Sequence, residues 1–163
     1  MLFRSSSRSS GSQAHIPEMY RPLLGARVFH TARFLSSLNA LGDDLPRRWL
    51  VIGSGQSASE SILELLGRRR DILVHSIHRS GGFRLTQLGQ FPNQVFSPEH
   101  VDYFHRLSAD ARRQFLAWSR STNYAGIDPD ESVKLFSIVY EDALKGRQRL
   151  AVDRKSTRLN SSH

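Results

Sequence analysis

Apolar residues fall in short, punctuated groups along the chain, and their period changes from one group to the next. Trp49–Ile52 is an unbroken apolar run between the polar turn "LGDDLPRR" and a glycine, and predicts a strand. Ala58, Ile62, Leu65 and Leu66 follow at i, i+4, i+7 and i+8, one face of a 3.6-residue repeat, and predict a helix that Gly67 terminates. "DILVHSI", from Asp71 to Ile77, predicts a second strand. Upstream, Pro17–Leu24 is expected to be a connecting loop, and "ARVFHTARFL" predicts a short strand at Val28–Phe29.

After Ile77 the period lapses. "RSGGFRLTQLGQFPNQVF" predicts a long loop, which in a compact domain is functional or disordered. Ser97 before Pro98 is a cap followed by the favoured first helical residue, and Ser108 opens the next helix, "ADARRQFLAWSRS". Asp128-Pro129-Asp130-Glu131 has the form of a capping box. The helix behind it carries Val133, Phe136, Val139 (or Tyr140) and Leu144 on one amphipathic stripe and stops at Gly146, after which "RQRLAV" opens another strand. The order is strand, strand, helix, strand, three helices, strand, with no internal repeat. A central βαβ unit implies a parallel sheet with a right-handed crossover, so the expected class is α/β with a helical insertion beside the sheet.

Composition narrows the function classes. At 163 residues the chain is one domain's worth, with 39% hydrophobic and 23% charged residues, an ordinary globular balance. Cysteine is absent, which excludes disulfides and thiolate metal sites and fits a reducing, cytoplasmic setting. No apolar run approaches the ~20 residues of a membrane-spanning helix. The net charge of +8 suggests nucleic acid, but two arginines lie in residues 1–14 and a net two positive charges in 153–163, leaving +4 for the middle. The tail "DRKSTRLNSSH" resembles the translation of a sequencing adapter, so 153–163 is expected to be foreign. Residues 1–14 are expected to be disordered or a non-native start. Between them the expected organisation is a connecting segment at 15–48, a nucleotide-binding βαβ unit with a substrate loop at 49–96, a helical insertion at 97–146 and the start of a cut-off strand at 147–152.

Gly53-Ser54-Gly55-Gln56-Ser57-Ala58 has the form G-x-G-x-x-A between a predicted strand and a predicted helix. The first glycine permits the tight turn, the second lets main chain approach a pyrophosphate, and Ala58 lets the helix lie close on the strand. The unit is therefore Rossmann-like. An NAD site places Asp or Glu about 20 residues on. Here the second strand ends in His78-Arg79 with no carboxylate following, and an arginine there suits the 2′-phosphate of NADP(H).

"VIGSGQSASE", "HR", "FPNQVFSPEHVDYFHRL" and "STNYAGID", in that order, resemble the flavin-dependent N-hydroxylating monooxygenases, the ornithine and lysine N-hydroxylases of siderophore synthesis. The likeness runs from about His15 to Val152. It implies that NADPH reduces FAD, that oxygen adds to the reduced flavin, and that the neutral side-chain amine of the substrate takes the distal oxygen. It further implies that Gly53, Gly55, Gln56, Ser57 and Ala58 line the dinucleotide, that Arg79 serves its 2′-phosphate, and that Asn93 and Asn123 reach the amino-acid substrate or the nicotinamide. Neutral amides suit that task because they orient an amine without holding it protonated. Read without the resemblance, Asn93 is a loop residue bonding its own backbone and Asn123 a helix C-cap. Gln94 stands where the family usually has Glu, and Ala125 where serine is common. The family's N-terminal FAD motif has no counterpart, so the expectation is a fragment truncated at both ends, inactive alone, from an enzyme that is a homo-oligomer at full length. No catalytic residue is assigned within it.

Two other classes fit less well. A stand-alone NADP-dependent reductase would need Tyr and Lys as Y-x-x-x-K, and Tyr140 to Lys145 is one residue too long. A basic nucleic-acid module rests only on charge at the chain ends. His75, His78, His100 and His105 lack the paired carboxylates of a metal site and read as surface or core histidines.

Overall fold

A computed structural model of the chain describes residues 14, 16–78, 82–86, 89, 94–123 and 126–153, without the side chains of 120–123. The chain divides into two compact units, Met1–Leu45 and Pro46–His163. In the first, tight helical turns at Glu18–Leu23 and Thr31–Arg33 precede helix α1 (Phe34–Leu41), whose Leu38 is buried. The strand expected at Val28–Phe29 does not form. Val28 instead accepts from the Gly25 amide at 2.8 Å in a turn, and among the described residues no strand lies alongside to complete a ladder.

The second unit holds β1 (Arg48–Ile52), α2 (Gln56–Arg68), β2 (Leu73–Ile77), β3 (Arg84–Leu85), α3 (Pro98–Arg106), α4 (Ala109–Asn123), β4 (Gly126–Ile127), α5 (Pro129–Leu144) and β5 (Leu150–Asp153). β1, β2 and β5 form a parallel sheet in the order β1-β2-β5, with Val51 beside Ser76 and Val74 beside Leu150. All four of these side chains are buried, as are Ala58, Ile62, Leu65 and Leu66 on α2, which packs on β1, β2 and α5. Burying each large aliphatic side chain contributes roughly 1.5–3 kcal/mol. On the opposite face of the sheet Leu50, Ile52 and Leu73 are exposed. The expected α/β class with a parallel sheet is therefore present, and three helices do separate β2 from β5.

Helix ends follow the sequence with two exceptions. Ser97 Oγ accepts from the His100 amide and Ser108 Oγ from the Ala111 amide, each at 3.2 Å. α5 ends in a Schellman motif: Gly146 (φ +64°) donates to the Ala143 carbonyl, and Arg147 donates to that of Asp142. α2, however, runs one residue past Gly67 to Arg68, so that glycine lies in the last turn rather than stopping the helix. The stripe of Val133, Phe136, Val139, Tyr140 and Leu144 is not the packed face of α5; Phe136 is 69% exposed and Leu144 71%. The inward side is Leu135, Ile138 and Asp142, a second stripe of the same period that carries a carboxylate. α3 and α4 pack through aromatics, with Phe115 5.7 Å from Phe104 and 5.1 Å from His100 between ring centroids.

The carboxylate of Asp142 is 2% exposed and receives Arg147 Nε at 2.6 Å and Arg149 Nε at 2.8 Å. Arg149 Nη1 also donates to the Leu66 carbonyl at 3.2 Å, so one guanidinium ties α5, the approach to β5 and α2 together. Burial pushes the Asp142 carboxyl up, but the hydrogen bonds and charges of Arg149 and Arg147 outweigh it and hold it below the ordinary aspartate value of 3.8. A depressed folded-state value gives stability that is full above the unfolded value and lost as pH falls through the folded one. Asp142→Ala leaves the half-buried Arg149 without its carboxylate and is expected to lower unfolding free energy by about 3 kcal/mol at pH 7. Urea titrations of both proteins should show that difference shrinking as pH falls below 3.8.

Candidate dinucleotide site

The turn between β1 and α2 is built by its first glycine. Gly53 continues the ladder by donating to the Ile77 carbonyl at 2.9 Å, and its φ of +138° is one that L side chains rarely adopt. A Cβ at this position would stand 3.6 Å from that of Ala58, ordinary contact, so it is the backbone angle that requires glycine. Gly55 differs. Its conformation is extended, at φ −91° and ψ −177°, and a Cβ there would enter open space. A ligand can reach the main chain at Gly55 because nothing of the protein fills that volume.

The amides of Ala58 and Ser59 both donate to the Gly55 carbonyl, at 3.0 and 3.2 Å. Those of Gln56 and Ser57, the first two of α2, have no carbonyl ahead of them in the helix and lie at its positive end. Ala58 is buried, and Ser59 and Ser61 bond back to the carbonyls of Gln56 and Ser57, each at 2.7 Å. An extended glycine without obstruction, two orphan amides and a helix dipole are the features with which a helix N-terminus can take an anion.

The Gln56 side chain is turned elsewhere. Its Oε1 accepts from the Asp128 amide at 2.9 Å and its Nε2 donates to Glu60 Oε1 at 3.0 Å. This overturns the capping box expected at Asp128–Glu131. In a capping box the Glu side chain would satisfy the cap residue's amide. Here Gln56, from another helix, already does so; the Asp128 side chain makes no cap bond, and Glu131 stands 3.9 Å from Lys134.

Of the other residues singled out in the sequence, Arg79 and Asn93 lie outside the described residues, and Asn123 is described only as the last residue of α4. His78 is a core histidine, 3% exposed and 5.5 Å from the Phe83 ring; His75 is half exposed, with Asp153 at 3.8 Å. The sequence reading missed the ribbon in which β3 pairs in parallel with β4, Arg84 beside Gly126 and Leu85 beside Ile127. A Cβ at Gly126 would stand 2.5 Å from the Thr86 nitrogen, so only glycine fits. An isolated glycine beside a β-branched residue was the available signal for that close approach.

Sheet, turn and helix end together define a Rossmann-like α/β segment. A model of the family "L-lysine 6-monooxygenase/L-ornithine 5-monooxygenase" matches residues 5–162, and the chain belongs to that family, as its motifs led us to expect. It is 32% identical over 152 residues to an L-ornithine N(5)-monooxygenase of Burkholderia cepacia, covering 91% of this chain and 34% of that protein. The crystal structure of L-lysine 6-monooxygenase from Pseudomonas syringae is 64% identical with a TM-score of 0.76, covering 88% of this chain and 34% of that one. The ornithine N-hydroxylase of Kutzneria sp. 744, a structure with reduced FAD, NADP+ and L-ornithine, is 33% identical with a TM-score of 0.74, covering 79% and 31%. The chain thus spans about a third of the relatives it matches.

The open volume at Gly55 gives a direct test. Gly55→Val suits the extended backbone, so stability is expected to change by no more than about 0.5 kcal/mol. The added methyl groups occupy the phosphate approach and should weaken NADP(H) binding by about tenfold or more, measured by calorimetric titration of the full-length enzyme.

Proposed function

We propose that this chain is the NADP(H)-binding segment, with part of the substrate wall, of an FAD- and NADPH-dependent monooxygenase. The enzyme hydroxylates the side-chain amine of ornithine or lysine with O2, for hydroxamate siderophore biosynthesis. The observation that carries the reading is the β1–α2 turn, with main chain open at Gly55 and orphan amides at Gln56 and Ser57, in a chain that belongs to this family.

When bound, NADPH supplies the hydride, and FAD, held mainly by parts of the full-length protein beyond the matched third, passes the electrons to O2. The residues of this chain bind and orient. The Gln56 and Ser57 amides and the α2 dipole hold the pyrophosphate without a fixed side-chain charge. Arg79 pairs with the 2′-phosphate through charge-assisted bonds, a job for a guanidinium fork. Asn93 and Asn123 orient the amine through neutral amides, which leave its lone pair free. One oxygen atom enters the amine as hydroxylamine, and the other leaves as water with the hydride and a proton.

The overall reading is tested by assaying full-length enzyme with FAD, NADPH and each amine. Hydroxylamine formed from neither ornithine nor lysine would exclude it. Within it, Arg79→Ala is expected to lower the NADPH:NADH ratio of kcat/KM by roughly ten- to a hundredfold, the worth of a lost charge-assisted bond. An unchanged ratio would remove Arg79 from the phosphate.

A further inference from the structure

Gln56 sits in the dinucleotide turn, yet its side chain is committed to protein at both ends of its amide. An amide has one acceptor and one donor end. Oxygen meets a backbone N–H at Asp128 and nitrogen meets a carboxylate at Glu60, so each end is used in the one sense its partner allows. The bond to Asp128 links residues 72 apart in sequence. Asp128 follows β4 directly and caps α5, and α4, which ends at Asn123, packs on β4 together with α2.

We propose that Gln56 is a positioning residue: its side chain pins the Asp128 amide, and with it strand β4, to the nucleotide turn, so that the end of α4 keeps its place relative to the dinucleotide. The backbone of Gln56 faces the phosphate while its side chain sets the distance to the substrate side. β4 has further anchors in the buried Ile127 side chain and in the Thr86 amide, which donates to the Ile127 carbonyl at 2.9 Å, but as a strand it is slight. It is two residues long, its ladder partner β3 is equally short, and Gly126 lies against Thr86 with no side chain to interlock. Without the bond, the N-terminal amide of α5 loses its partner and the junction after β4 is held less closely, and near-attack geometry is sensitive to small displacements.

This role rests on the monooxygenase reading, and the test separates the two. In the full-length enzyme, Gln56→Met keeps the length and apolar stem but removes both bonds. Gln56→Glu keeps an acceptor for Asp128 and places a second carboxylate beside Glu60. Gln56→Met is expected to lower hydroxylamine formed per NADPH oxidised by about three- to tenfold, in line with one lost hydrogen bond, while the Kd for NADP(H) stays within about twofold. Gln56→Glu is expected to recover at least half of the coupling. A weakened NADP(H) Kd with coupling unchanged would overturn the proposal, since the side chain would then be serving the dinucleotide; so would full coupling in Gln56→Met. Amide hydrogen exchange on the wild type gives a readout independent of substrate and of how the variants fold. The Asp128 amide should exchange at least about fivefold more slowly than the amides of Asp130 and Glu131, which are orphans at the same helix end. Equal rates at the three positions would remove the brace.

Discussion

A buried carboxylate governs how the second unit holds together. Asp142 lies in the last turn of α5, where the helix dipole is unfavourable to negative charge, and almost no solvent reaches it. A group so placed is tolerated only when paired, and Arg147 and Arg149 pair it from the segment that leads into β5. Arg149 then spends a further N–H on the Leu66 carbonyl in α2. Parallel strands cannot be joined by tight hairpins, so each crossover helix must be located by contacts of its own. The Asp142 cluster supplies one at the point where both crossover helices and the third strand converge. The Schellman turn at Gly146 is what allows it, because it reverses the chain and brings Arg147 and Arg149 back to a helix they have just left.

Elements set by local chemistry were legible from residue order alone. β1, α2 and β2 each pair an apolar run or period with glycine or polar punctuation nearby, and the serine caps at 97 and 108 need no tertiary information. The misreadings have a different cause: the outcome depended on partners that the local pattern does not show. Val28–Phe29 has strand-forming residues, but among the described residues no strand lies alongside it. The face of α5 that looked apolar is the exposed one, because the packed face hides an aspartate whose charge is neutralised by arginines that follow the helix. Hydrophobic counting cannot see a charge that will be paired later in the chain.

At the candidate site the same division holds. The glycine turn was readable because G-x-G-x-x-A encodes a backbone shape, and backbone shape is a local property; Gly53 takes the positive φ of the tight turn, and the volume beside Gly55 is open. The side chain of Gln56 was not readable, since the motif says where its amide hydrogen points and nothing about a bond 72 residues away. Arg79, Asn93 and Asn123 took their roles from likeness to a family, and the chain's membership of that family supports the setting in which those roles make sense.

Gly126 has one more consequence. The position lies in a strand of two residues and touches main chain rather than side chain, so it works as a gauge block between the two arms of the long β2–β5 crossover. A methyl group there would not merely crowd a neighbour. It would have to lift the backbone at Thr86, and the segment running on from there carries Asn93. A residue with no side chain thus sets how closely the two arms of that crossover can approach, a spacing that no larger residue could reproduce.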